Sequence, residues 1–108
     1  GTYWQPPVGM GVEDCLANQR TALPRLLGLH VFQWHPQTRA RQSLALGEFC
    51  WPRYLRAAAK GIRNRTLYAH LEFTRDDDPD HLIDDAAVLI AWLNACNERR
   101  DEGCHHGE

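Results

Sequence analysis

The sequence predicts a mostly α-helical fold, a compact bundle of about four to five helices with room for one short strand pair. Three observations carry that expectation. The segment from Pro79 to Arg100 has start, stripe and stop signals of a long helix, the Ala57-Ala58-Ala59 run sits inside a second helical pattern, and Val12–Leu23 repeats at helical spacing. The competing class is α+β, with Leu29–Trp34 and Thr66–Thr74 as strands. At 108 residues the chain has room for one core, so residues 1–108 are read as one domain: an arm (1–11), a helical body (12–100) and a flexible tail (101–108).

Residues Gly1–Gly11 are rich in Gly and Pro and lack periodicity, which marks an arm or loop. Tyr3 and Trp4 lie on it and must pack on the body, on a second subunit or on a partner, because exposed aromatic surface costs free energy. Val12–Leu23 follows as a helix, with Val12, Leu16, Gln19 and Leu23 on one face and Glu13 and Asp14 at its positive end. Pro24 ends or kinks it. Leu26–Trp34 reads either way, because short apolar runs are not settled by periodicity.

His35-Pro36-Gln37 is a turn, and Thr38 is placed to cap a helix from Arg39 to about Leu46. After Gly47, Pro52 lies early in a helix that runs to Lys60 and stops at Gly61. In Thr66–Thr74 the alternation of Leu67, Ala69, Leu71 and Phe73 favours a strand. Leu67 and Leu71 at i, i+4, with Asn64 as cap, favour a helix. Helix is preferred here, since few other segments offer sheet neighbours.

In the last helix Asp78 is the N-cap and Pro79 takes the first position, where its missing N–H matters least. Asp80, Asp84 and Asp85 fill the early turns, and Arg99 and Arg100 the last. Leu82, Ala86, Leu89, Leu93 and Cys96 form one apolar stripe, and Ile83, Ala87, Ile90 and Ala91 a second. A helix apolar on most sides is central in the core or shared with another chain. Leu82, Ala86, Leu89 and Leu93 are therefore the expected homodimer interface.

Composition narrows the function classes. Apolar residues are 44% and charged residues 24%, which suits a folded chain rather than a disordered one. The longest apolar run, Ala86–Leu93, is far short of the roughly 20 residues of a membrane span, and no signal peptide is read at the start. The four cysteines, Cys15, Cys50, Cys96 and Cys104, read as free thiols of a reducing, cytoplasmic compartment, because Cys50 and Cys96 sit inside apolar patterns. Arg outnumbers Lys, which is Lys60 alone, as in GC-rich bacterial or phage coding sequences. Net charge is −2 but segregated: Arg39, Arg41, Arg53, Arg56, Lys60, Arg63 and Arg65 form a basic block, and Glu72–Asp85 an acidic one.

No nucleophile elbow, phosphate loop or paired-carboxylate motif is present, so no catalytic residue and no cofactor are expected. The acidic cluster Asp76, Asp77, Asp78, Asp80, Asp84 and Asp85 with His81 lacks the calcium-loop glycine. The tail ligand set Cys96, Cys104, His105 and His106 matches no zinc spacing. No metal is expected at either. What remains is a non-enzymatic regulatory protein that inhibits or sequesters a protein partner, such as a transcription factor, in the manner of antiactivators, phage inhibitors and immunity proteins. The contact residues expected from hot-spot chemistry are Tyr3, Trp4, Trp34, Trp51, Arg53, Tyr54, Arg56 and Trp92.

The run Gly61-Ile62-Arg63-Asn64-Arg65-Thr66-Leu67-Tyr68-Ala69-His70-Leu71 supplies the alternative. It resembles the turn and recognition helix of TetR-type repressors, with Ala57 where two crossing helices need a small residue. Arg56 and Lys60 depart from that pattern, and the acids of Asp76–Asp80 follow it directly. The resemblance implies DNA binding through Thr66, Tyr68 and His70, with Arg53, Arg63 and Arg65 on phosphates. A metal- or Cys-dependent enzyme is the third class.

Overall fold

The computed structural model describes residues 1–35, 37–62, 66–71 and 79–106, the last segment without the side chains of 98–106. Its architecture is α/β rather than a helical bundle. Three parallel strands, β1 (Thr2–Trp4), β2 (Leu26–Val31) and β3 (Tyr68–Leu71), form one sheet in the order β1-β2-β3. The α-helices described are α1 (Val12–Ala22), α2 (Trp51–Gly61) and α3 (Pro79–His106). The chain thus alternates strand and helix, and each crossover adds the next strand on the same side of the last. Right-handed crossovers of that kind place their helices on one face of the sheet. The packing agrees: α1 lies against β1 and α2, and α3 lies against α2 and β3.

Each expectation that failed has a local reason. The Gly/Pro-flanked arm contains a strand, Thr2–Trp4, too short for periodicity to register, and it pairs with Leu26–Leu29. That edge strand supplies one sheet neighbour, and β2 supplies a second for Tyr68–Leu71, so alternation wins over i, i+4 spacing and the segment is β3, not a helix. The two strand segments of the competing class shift to Leu26–Val31 and Tyr68–Leu71, and the sheet is parallel, hence α/β and not α+β. The helix expected at Arg39–Leu46 is absent. Arg39 adopts φ 60°, a left-handed conformation that no helix interior accepts. Trp34 and Arg41 form an antiparallel bridge instead, and only a 3₁₀ turn follows at Leu44–Gly47.

The other helices match their sequence signals closely. Pro24 sits in a 3₁₀ turn, Leu23–Arg25, that closes α1. Pro52 lies in the first turn of α2, and Gly61 is its last residue. α3 begins at Pro79 and continues through His106, past the expected end at Arg100; Asp78, expected to cap it, lies outside the described residues. No helix among the described residues is long and apolar enough to cross a membrane.

The core lies between the sheet and the helices. It holds Trp4, Leu26, Leu29 and Val31 from the strands, Trp51, Tyr54, Leu55 and Ala58 from α2, and Leu89 and Cys96 from α3. The α2 positions fall at i, i+3, i+4 and i+7, one helical stripe. Polar groups inside are satisfied directionally. Trp51 Nε1 donates to Phe32 O at 2.8 Å, Trp4 Nε1 to Asn18 Oδ1 at 2.9 Å, and buried Gln19 Nε2 to Tyr54 O at 3.0 Å. Asp85, buried on α3, accepts the Leu44 N–H at 3.0 Å and so ties the 3₁₀ turn to the last helix.

Candidate functional site

The sheet turns one face to the helices and leaves the other without a covering element among the described residues. A register shift between the Thr2↔Leu26 and Tyr3↔Gly28 pairs makes Leu27 an extra residue in β2. Such a bulge resets the alternation of side chains. Leu26 and Leu29 can then both point inward, while Gly28 and His30 point outward. In β3, Ala69 and Leu71 pack on the core, which sends Tyr68 and His70 out. Tyr3, Gly28 and Tyr68 lie in one row across the three strands, and His30 pairs with His70 in the next.

These side chains form a compact ring cluster. Tyr3 stacks on His30 and meets His70 edge-on, both at 5.0 Å between ring centroids. The Tyr3 hydroxyl and His70 Nε2 share a hydrogen bond of 3.1 Å. His30 Nδ1 donates to Gln5 Oε1 at 3.3 Å, and the two imidazoles lie 6.4 Å apart. Tyr68 flanks His70 at 6.4 Å and remains 56% exposed. Gly28 makes this possible. A Cβ there would come within 2.6 Å of the Tyr68 carbonyl oxygen and 2.7 Å of the Tyr3 ring, which lies directly over the glycine.

The partner-contact residues expected from sequence divide between interior and surface. Trp4, Trp51 and Tyr54 are buried in the core, and Trp34 and Trp92 are half-buried. Arg53 and Arg56 are exposed on α2, where Arg53 pairs with Glu13 of α1. Of that set, Tyr3 alone stands on the outer sheet face. Of the expected dimer residues, Leu89 is buried, Leu93 and Ala86 are half-buried and Leu82 is exposed.

The helix-turn-helix reading does not survive the fold. Thr66 lies in the connection before β3, Tyr68 and His70 are in β3, and no helix occupies Thr66–Leu71 to serve as a recognition helix; Arg63 and Arg65 lie outside the described residues. Tyr68 and His70, named there for another reason, are nonetheless at the centre of the exposed ring cluster. Half-buried His30 is not among the site residues expected from sequence, and its signal is its parity with Gly28 in β2.

The thiols are set for packing rather than chemistry. Cys50 occupies the N-cap of α2, a place that ordinarily favours thiolate, but burial dominates and pushes its pKa up to about 11. Tyr54 beside it is also raised, mainly by burial and further by hydrogen bonding with Cys15. Cys15, Cys50 and Cys96 are buried, and none is in a disulfide. Asp80 and Asp84 are exposed on α3, Asp76–Asp78 lie outside the described residues, and no group of three potential metal ligands occurs among the described ones.

Compared with family models, with curated proteins and with solved structures, the chain matches none. Its functional reading therefore rests on its own geometry.

Proposed function

We propose that the chain is a non-enzymatic binding module that presents the outer face of its parallel sheet to a protein partner, which it inhibits or sequesters. The observation that carries this reading is a parallel sheet layered, among the described residues, on one side only. Such sheets occur almost exclusively with both faces covered, and here the second face bears Tyr3, His30, Tyr68 and His70 in mutual contact. Tyrosine is the residue type that dominates protein interfaces at low entropic cost. Rings already held by one another lose little freedom on docking.

A second apolar strip supports self-association as part of the same proposal. On α3, Ile83 and Ile90 are 65% and 57% exposed and lie at i, i+7 with Ala87 between them. It is the second stripe read from sequence, beside the one expected to form the dimer, and it replaces buried Leu89 as the surface a second copy would meet.

The test uses the whole chain as bait, followed by identification of what it retains and measurement of that binding with the purified pair. Changing Tyr68 and His70 together to Ser should abolish retention, whereas Arg53→Ala with Arg56→Ala on α2 should leave it intact. The reverse pattern would move the interface to the helices and overturn the assignment.

A further inference from the structure

The loops that follow β1 and β2 leave a crevice at the carboxyl ends of those strands, well removed in composition from the outer sheet face. The loop after β1, the loop after β2 and the first turn of α2 enclose a cavity of about 220 Å³. Its walls include Met10, Phe32, Trp34, Phe49 and Tyr54, with the Phe32 and Trp34 rings 5.1 Å apart. Met10 and Phe49 are among the most exposed large apolar side chains of the protein, Phe49 at 65%. An open mouth lined by such groups gains free energy when an apolar body covers them.

Among the described residues Arg39 is the charged side chain that lines the crevice, beside the polar Gln33 and His35, and no carboxylate does so. The backbone N–H groups of Gln37 and Thr38 both donate to His35 Nδ1, each at 3.2 Å. Nδ1 is therefore the acceptor, and in the neutral ring Nε2 carries the proton, a donor of fixed tautomer. Arg39 is held at φ 60°, the one non-glycine residue with positive φ among those described. That conformation costs a non-glycine residue about 1 kcal/mol or more, and here it places an arginine on the rim of an aromatic cavity. The volume falls below the roughly 300 Å³ at which pockets for drug-sized molecules begin, so the occupant is one small ring system with an acidic group.

We propose that this crevice binds a small aromatic carboxylate, its ring against Trp34 and Phe49 and its carboxylate on Arg39 and the His35 imidazole. The site is independent of the sheet-face interface, and either can fail without the other.

The experiment is calorimetric titration of the full chain with indole-3-acetate and phenylacetate, each beside its uncharged amide as an isosteric control. At least one acid should bind saturably, at least about tenfold more tightly than its amide, as charge-assisted hydrogen bonds to carboxylate require. Arg39→Gly should weaken the acid about tenfold and leave the amide unchanged. Glycine accepts the left-handed backbone at that position, so this variant keeps the fold, which its thermal melt checks. Phe49→Ser, at an exposed position, should weaken acid and amide alike. No saturable binding of either acid at millimolar concentration overturns the proposal. So does equal binding of acid and amide, or an acid affinity that Arg39→Gly leaves unchanged.

Discussion

The two faces of the sheet share a backbone and differ in everything else. Toward the helices, Trp4, Leu26, Leu29 and Val31 join Trp51, Leu55 and Ala58 in a dry core whose indole N–H groups at Trp4 and Trp51 each have a named acceptor. Away from them, Tyr3, His30, Tyr68 and His70 touch chiefly one another. Neighbouring residues in one strand therefore answer to different constraints: the inner set holds the fold together, and the outer set is held by the fold. Change on the outside should alter binding without altering stability, and change on the inside should do the opposite.

The largest expected effect is on the inner face. Trp51 is 1% exposed, bonds Phe32 O and packs edge-on against Tyr54 at 5.4 Å. Trp51→Ala removes the ring and leaves the Phe32 carbonyl without its indole donor, so it should cost about 3–5 kcal/mol in a urea unfolding series. A loss under about 1 kcal/mol would mean that the core does not depend on this side chain. Gly28 comes next and is the exception that sharpens the comparison, since it faces outward and still should not accept a side chain. The added methyl of Gly28→Ala meets the Tyr68 carbonyl at 2.6 Å, backbone that cannot swing aside. A cost of about 1–3 kcal/mol is expected in the same series. A neutral result would show that β2 and β3 are less closely apposed than described.

How legible all this was in the sequence depended on how local the determinant is. α1, α2 and the start of α3 follow from residues within a turn of the event: Pro24 after α1, Pro52 and Gly61 bracketing α2, Pro79 at the head of α3. The sheet does not. Thr2–Trp4 is three residues long and carries no period, and without it Leu26–Val31 and Tyr68–Leu71 look like isolated fragments with equally good helical readings. Strand identity is decided by partners distant in sequence, so the fold class depends on pairing more than on local propensity. The ring cluster was half legible for the same reason. Tyr68 and His70 were singled out on a helix that does not form, while the alternation of Leu67, Ala69 and Leu71, noted and set aside, is what sends them outward. Aromatic residue type alone does not separate surface from core, because Trp4, Trp51 and Tyr54 are buried.

A titration reads the inner side more gently. Burial lifts the Cys50 pKa from its ordinary value of 9.0 to about 11. The unfolded chain ionises this thiol first, so the protonated folded form loses relative stability as pH rises past about 9. The contribution is fully present below that value. Between pH 8 and 10 the loss should be about 1 kcal/mol, a window that ends where the phenol of Tyr54 begins to ionise in the unfolded state. Unfolding free energies across that range should slope downward in the wild type and flatten in Cys50→Ala. An unchanged slope in the variant would place the Cys50 thiol in contact with water, and so outside the dry half of the comparison.

The smallest expected effect carries the most about function. Tyr68 is more than half exposed and His70 is exposed, and neither has a hydrogen-bond partner in the core. Tyr68→Ala should fall within about 0.5 kcal/mol of wild type, the usual range for surface substitutions, even though it removes a large aromatic ring. His70→Ala also gives up the hydrogen bond to Tyr3, which is exposed and worth little beyond that range. A destabilisation above about 2 kcal/mol at either residue would show that the ring cluster is a second core, retained to stabilise the sheet. Near-neutral values would mean that a row of stacked tyrosine and histidine adds almost nothing to folding, as the proposed docking role of this face requires.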